Sequence, residues 1–340
     1  MPENLNSIRS LGFYWDTYDP FIFCVHHNDF YPRGNDEMGP DPPLLRGRNI
    51  GSDFTVKDGW RMYHGDKVPG FPVHPHRGFE TVTIVRQGFV DHSDSLGAAG
   101  RYGNGDVQWM TAGGGIQHCE MFPLVNSDRD NHVELFQIWI NLPRRNKMVE
   151  PHFAMLWGET IPEVKATDNH GKTTTIKIVA GSIDGVTAPP PAPDSWAADA
   201  SNEVGIWTVK MEPGAEWTMP AAPEKVQRTI YYFSGDEITI AGSKISSKVS
   251  FHLCGDIPQK VINGPSESEM LILQAMPIGE PVVQHGPFVM NTDEEIRQAF
   301  SDYRRTQFGG WPWPRHDNVH PRSAGRFAKH ADGRTETKDQ

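Results

Sequence analysis

Short runs in which apolar and polar residues alternate recur along the chain: FETVTIV (79–85), GDVQWMT (105–111), HVELFQIWINLP (132–143), TTTIKIVAGSIDGV (173–186), GIWTVKMEPGAEWTMP (205–220), QRTIYYFSGDEITIAG (227–242), KVSFHLCGDIPQKVING (248–264) and SEMLILQAMP (268–277). A period of two sends successive side chains to opposite faces, and the Val, Ile, Thr and aromatic content of these runs favours extended backbone. They therefore predict strands. In the third run Val133, Leu135 and Gln137 share one face, with Glu134, Phe136, Ile138 and Ile140 on the other. Residues 71–88 read as one strand carrying HPH into FETVTIV. Only one stretch has helical spacing: Thr292-Asp-Glu-Glu295 forms a capping box, Ile296, Ala299, Phe300 and Tyr303 follow at i, i+3, i+4 and i+7, and Arg304 and Arg305 suit the C-terminal dipole. GGWPWP ends it.

The pattern predicts an all-β protein in two similar β-rich halves, as an internal duplication would give. Two cores also suit a chain of 340 residues. The expected boundaries are 1–145 for an N-terminal domain, 146–290 for a C-terminal one, 291–306 for the helix and 307–340 for a polar, disordered tail. Residues 31–67, rich in Gly, Pro and Asp, should form an ordered excursion over the surface. TAPPPAPDSWAADAS (187–201) should be a stiff loop outside the core.

Composition narrows the partners. A net charge of −11 argues against sequence-independent nucleic-acid binding. No segment approaches the roughly 18 apolar residues of a membrane span, and the first ten residues hold no signal-peptide core. Cys24, Cys119 and Cys254 form neither a disulfide framework nor a CxxC motif, which fits a reducing compartment. A soluble cytoplasmic chain is expected, with the nucleus also open to it in a eukaryotic cell, and a monomer.

The candidate chemistry lies between Gly70 and Glu120. His74 with His76, and His118 with Glu120, are i, i+2 pairs; on neighbouring strands all four could converge on one point. Three imidazoles and a carboxylate suit a first-row ion such as Fe, Mn, Ni, Cu or Zn, and leave two positions of an octahedron open. The competing reading makes HPH a polar turn and His118 a hydrogen-bonded core histidine. Counting by two from His74 also brings Glu80 to the same face, as a rival fourth ligand or as a group orienting an imidazole. Phe71, Phe79, Trp109 and Met110 are candidates to line a pocket, though each is more often core. Cys119 should face away from its neighbours His118 and Glu120 and pack. His26 and His27, being adjacent, cannot pair as HPH does, and are expected at the surface or behind a ligand. The glycines at 113–115 lack the Lys-Ser/Thr of a phosphate loop, which points to close backbone packing. In the second half His252 has no partner at ligand spacing, so that half should be metal-free.

DPF (19–21), HPHRGFETV (74–82), GDVQWMTAG (105–113), HCE (118–120), NLPRRNKMVEP (141–151) and QHGPFVMNTDEEI (284–296) together resemble the pirin family, bicupins of the cupin superfamily. The resemblance implies two jelly-roll β-barrels in tandem and one Fe(II) per chain in the N-terminal barrel, with ligands at His74, His76, His118 and Glu120. It implies Glu120 over Glu80. Residues 31–67, 125–131, 188–194 and the stretch beyond Phe308 look longer than is typical of the family.

Pirins resemble quercetinases, which open a flavonol ring with O2. The implied activity is a dioxygenase acting on a flavonol-like aromatic, with Glu120 accepting the substrate's hydroxyl proton. The alternative the resemblance implies is a regulator that binds a transcription factor in a metal- and redox-dependent way, without turnover.

Overall fold

In the computed structural model, which describes residues 5–338, the alternating runs lie in antiparallel strands. The chain opens with β1 (Leu5–Ser10) and β2 (Phe21–Tyr31). β3 (Gly70–His76), β4 (Phe79–Gln87), β5 (Phe89–Asp94), β6 (Ala99–Gly103), β7 (Val107–Thr111), β8 (Ile116–Met121), β9 (Asn131–Asn141) and β10 (His152–Leu156) follow.

Two compact units divide the chain, and they do not follow chain order. One takes residues 26–137, 142–158 and 280–340; the other takes 1–25, 138–141 and 159–279. In the first unit β10, β7, β4 and the parts of β9 and β2 that fall within its residues are successive neighbours in one sheet, and β6, β5, β8 and β3 are successive neighbours in a second. In the second unit β1 pairs with Val249–Cys254 at the edge of a seven-stranded sheet. Its core unites inward residues of that sheet, such as Ile230, Met270 and Ile272, with Trp217, Ile238 and Val261 of a four-stranded sheet. A period-two pattern marks β1 as a strand but says nothing of which sheet it joins. By contact, residues 1–25 fall in the second unit and 280–340 in the first, a grouping that depends on partners distant in sequence.

Helix α1 (Asp293–Thr306) begins where the capping box predicts: the Thr292 side chain accepts from Glu295 N, and the Glu295 carboxylate accepts from Asn291 N at 3.0 Å. Ile296 and Ala299 form its buried face.

Three expectations are corrected. Residues 71–88 form two strands, β3 and β4, because the chain turns at Arg77–Gly78. Gly78 has φ +85°, and a Cβ there would lie 2.0 Å from the Val289 carbonyl oxygen. Residues 31–67 are more than a surface excursion, since Trp60, Met62 and Tyr63 are buried; Arg48 stacks on Trp60 with its guanidinium 3.3 Å from the ring centre. The tail is ordered through residue 338, with 339 and 340 outside the described residues. Arg326–Lys329 pairs with β6 on one side and with Thr335–Lys338 on the other. What holds the tail is polar. The buried Arg101 guanidinium clasps Asp91 with two bonds of 2.7 Å and donates to the carbonyls of His320, Pro321 and Arg322. Asn318 donates to Ser93, and His320 N to Asp91. A tail anchored through backbone carbonyls shows no apolar stripe, so its polarity reads as disorder.

Candidate metal centre

β3 and β8 are antiparallel neighbours with His74 opposite His118 and His76 opposite Ile116. Within each strand the period of two keeps His74 with His76, and His118 with Glu120, on one face. The ligand nitrogens of His74, His76 and His118 lie within 4.8 Å of one another. Glu120 Oε2 is 3.8 Å from His118 Nε2.

His74 Nδ1 lies 2.9 Å from the Pro72 carbonyl oxygen. That bond fixes the proton on Nδ1 and leaves the Nε2 lone pair to the cluster. His118 is fully buried, and neither of its ring nitrogens has a hydrogen-bond partner. Leaving such a group unsatisfied costs about 1–3 kcal/mol, and a metal ion in the cluster would satisfy one of the two nitrogens. Burial disfavours the charged form of all three imidazoles, and repulsion adds to it: from His64 and His92 at His74, from His74 at His76, and from His74, His76 and His92 at His118. His74 is lowered to about 4, with His76 and His118 held well below the ordinary histidine range. Near neutral pH the cluster presents neutral nitrogens, the form that binds metal. The donor set therefore fits a borderline divalent ion.

Burial raises the Glu120 pKa, opposed by the nearby His92 and by hydrogen bonds. Thr83 Oγ1 stands 3.1 Å from Glu120 Oε1, Gln137 Nε2 donates to Oε2 at 3.1 Å, and the Tyr102 hydroxyl reaches Oε1 at 3.5 Å. Thr83 also donates to Gln137 Oε1 at 2.7 Å. The end of β3 is braced separately. Arg77 donates to the Gly114 carbonyl and pairs with Asp302 of α1, while buried Lys147 donates to the carbonyls of Gly78 and Val289. Burial lowers Lys147 to about 8.

Of the other residues singled out from the sequence, Phe71 lies half-buried beside His74, their ring centres 6.4 Å apart, and continues into Phe54, Tyr63 and Phe122. Phe79 is fully buried with its ring 4.9 Å from that of His76. Thr83 faces Glu120, so the odd-numbered positions of β4 share the histidine side, and Glu80 points the other way, accepting from Thr111 at 2.8 Å. Trp109, opposite Val82, shares the Glu80 face; Met110, opposite Thr81, lies on the histidine face but is packed with Ala112 and Ile116. Cys119 turns away and packs with Val68 and Met121. Cys24 is likewise a buried free thiol, and the Cys254 side chain lies outside the described residues. His26 and His27 are not in the cluster: His26 meets Glu134 at 2.9 Å, and His27, buried rather than at the surface, meets the Tyr63 hydroxyl at 2.7 Å. A Cβ on Gly113 would meet the Val149 carbonyl oxygen at 2.1 Å and one on Gly115 the Phe308 ring at 2.6 Å, so this glycine loop is indeed a place of close packing.

Sequence reasoning passed over Thr83, Tyr102, Gln137 and His92. His92 sits opposite Glu120 across β5 and β8, with its ring 5.4 Å from that of His118 and its Nε2 3.1 Å from Asp94. The His92-x-Asp94 spacing was the available signal.

Two two-sheet β units and a buried three-histidine cluster between adjacent strands define the class: a bicupin with a site suited to a metal ion in one barrel. The Pirin family model matches residues 46–140, and that of the Pirin C-terminal cupin domain matches 206–309. Human Pirin is 36% identical over 253 residues, covering 73% of this chain and 80% of that protein; Pirin-1 of Arabidopsis thaliana is 39% identical over 246, covering 71% and 78%. A crystal structure of quercetin 2,3-dioxygenase from Acinetobacter baumannii superposes with a TM-score of 0.70 at 26% identity, over 90% of this chain and 98% of its own. The chain belongs to the pirin family.

Proposed function

We propose that the chain is an iron-dependent dioxygenase of the quercetinase type, with one Fe(II) held by His74, His76, His118 and Glu120. The observation that carries this reading is the buried, unpartnered His118 imidazole within 4.8 Å of the ligand nitrogens of two further neutral histidines. A ferrous ion there would supply Lewis acidity and one-electron chemistry toward O2, and Mn, Ni, Cu or Zn would compete for the same donors. Glu120 would take the substrate's hydroxyl proton, its carboxylate oriented by Thr83, Gln137 and Tyr102. A carboxyl whose pKa burial raises is better matched to proton transfer near neutrality than an exposed one. Phe71 and Phe54, beside the partly exposed His74, offer an aromatic flank for a flat substrate. The superposable Acinetobacter dioxygenase supports the same reaction class.

The test is oxygen uptake by anaerobically purified, Fe(II)-loaded chain given a panel of flavonols, with His76→Ala as control. Uptake that needs both flavonol and His76 is expected. A fully iron-loaded sample that consumes no oxygen with any flavonol would sink the activity and leave metal-dependent binding of a protein partner, such as a transcription factor, as the remaining reading.

A further inference from the structure

A cavity lies in the same unit, away from the cluster of His74, His76 and His118. The β4–β5 turn at Gln87–Phe89, the loop 123–133 and the tail around Arg322 and Gly325 enclose a cavity of about 540 Å³. β4 runs from Phe79 beside His76 to Gln87 at the cavity, so a strand roughly 27 Å long separates the two. In a chain of net charge −11, this cavity is lined by Arg101, Arg129 and Arg322 and, among the described residues, by no Asp or Glu.

The three arginines are not equivalent. Arg101 is neutralised by Asp91. Arg322 donates only to carbonyl oxygens, those of Leu124, Val125 and Asn35, so its charge is oriented but has no carboxylate against it among the described residues. Arg129 stands exposed at the rim, 3.8 Å from an equally exposed Asp128. Such a surface pair is weak and readily exchanged. Between these charges, Phe89, Val125 and Val133 supply apolar wall, and the size falls in the range of small-molecule sites. Arg322 and Gly325 lie beyond residues 206–309, the last span that the family models match, whereas Arg129 lies within the span 46–140.

We infer that this cavity binds a small organic anion, a carboxylate or phosphate monoester on an apolar body, with Arg322 and Arg129 holding the anionic group and Phe89, Val125 and Val133 the body. The guanidiniums present a fork of N–H donors that matches either group.

The probes are 1-naphthyl phosphate and 1-naphthoate, titrated by calorimetry into the full chain, with uncharged 1-naphthol as comparison. At least one anion should bind, and equally well to His76→Ala, because the metal centre is not involved. 1-Naphthol should bind about tenfold more weakly, and Arg129→Glu should weaken the anion about tenfold without touching a buried group. Arg322→Gln should weaken it further, but that change also loosens the tail, so of the two arginine variants Arg129→Glu is the deciding one. No binding of either anion at millimolar concentration, unchanged affinity in Arg129→Glu, equal binding of 1-naphthol, or loss in His76→Ala would each overturn the site.

Discussion

Thr83→Val separates the role of the Glu120 carboxylate from the stability of the barrel. Thr83 is 1% exposed, so no bulk water replaces its hydroxyl when it is removed. It carries one proton and faces two acceptors, Gln137 Oε1 at 2.7 Å and Glu120 Oε1 at 3.1 Å. A hydrogen bond to a charged group contributes ~1.5–3 kcal/mol. Divided between two acceptors, its loss to Glu120 should lie at the lower end, about 1.5 kcal/mol, or roughly tenfold in metal affinity. The same figure sits at the low end of the 10–100-fold expected for removing a group that orients a metal ligand. Valine fills the space but leaves the part-buried Gln137 Oε1 short of a donor, a cost of about 1–3 kcal/mol that in a chain of this size should lower the metal-free melting temperature by only a few degrees. The assay is competition against a calibrated chelator with Co(II) as an optical probe, for wild type, Thr83→Val and Thr83→Ser, alongside metal-free thermal melts. Serine keeps the hydroxyl and should restore most of the affinity. Wild-type affinity in Thr83→Val would refute the orienting network, and wild-type affinity in Glu120→Gln would remove Glu120 from the ligand set.

Acid should destabilise the metal-free chain over a defined window. His74 titrates at about 4 in the fold and near 6.5 unfolded, so the unfolded chain binds more protons between those values; stability present above pH ~6.5 is lost as pH falls toward 4, by up to ~1.4 kcal/mol per unit for each such histidine, with His76 and His118 acting in the same direction. Urea melts at pH 7 and 5 check this, and equal stability at both would contradict it. Ending the chain after Gly310 strips Arg101 of three carbonyl acceptors and β6 of its partner strand, and the melt should reveal a loss of ~3 kcal/mol or more. A freely dispensable tail would show no shift. Arg228 is a buried guanidinium in the second unit bonded to Gln274 Oε1 and the Pro220 carbonyl rather than to a carboxylate, and burial lowers it to about 10. Arg228→Met with Gln274→Leu should raise stability by ~1–4 kcal/mol, whereas Gln274→Leu alone should lower it; the opposite order in denaturant melts would mean the pair is a net stabiliser.

What the sequence made legible was local. Each alternating run carried its own evidence of being a strand, and Thr292 with Glu295 marked the helix start because a capping box is complete within four residues. Which sheet β1 would join, and that the last strands would pair with β6, depended on partners more than 200 residues away. The tail was hardest to read because its anchors are carbonyl oxygens, which every residue has. Arg101 and Asp91 are visible in the sequence, but nothing in either shows that three backbone carbonyls near residue 320 complete their shell.

The histidine cluster was legible for the same local reason that Glu80 was misplaced. His74 with His76 and His118 with Glu120 each lie within one strand, where counting by two holds. Carried from His76 to Glu80, the count crosses the turn at Arg77–Gly78, and a parity rule has no meaning across a change of strand. Three independent contacts fix the new parity: Phe79 packs on His76, Thr83 bonds to Glu120, and Glu80 bonds to Thr111 on the other side. The warning was present as Gly78, the one residue in HPHRGFETV suited to φ +85°, with the Val289 carbonyl filling the space where a side chain would stand. That turn is also what brings Thr83 under Glu120, since without the shift an even-numbered glutamate would face the histidines and the threonine would face away. One glycine thus decides which β4 side chains surround the cluster, placing a hydroxyl there that can orient a carboxylate, and keeping a second negative charge out.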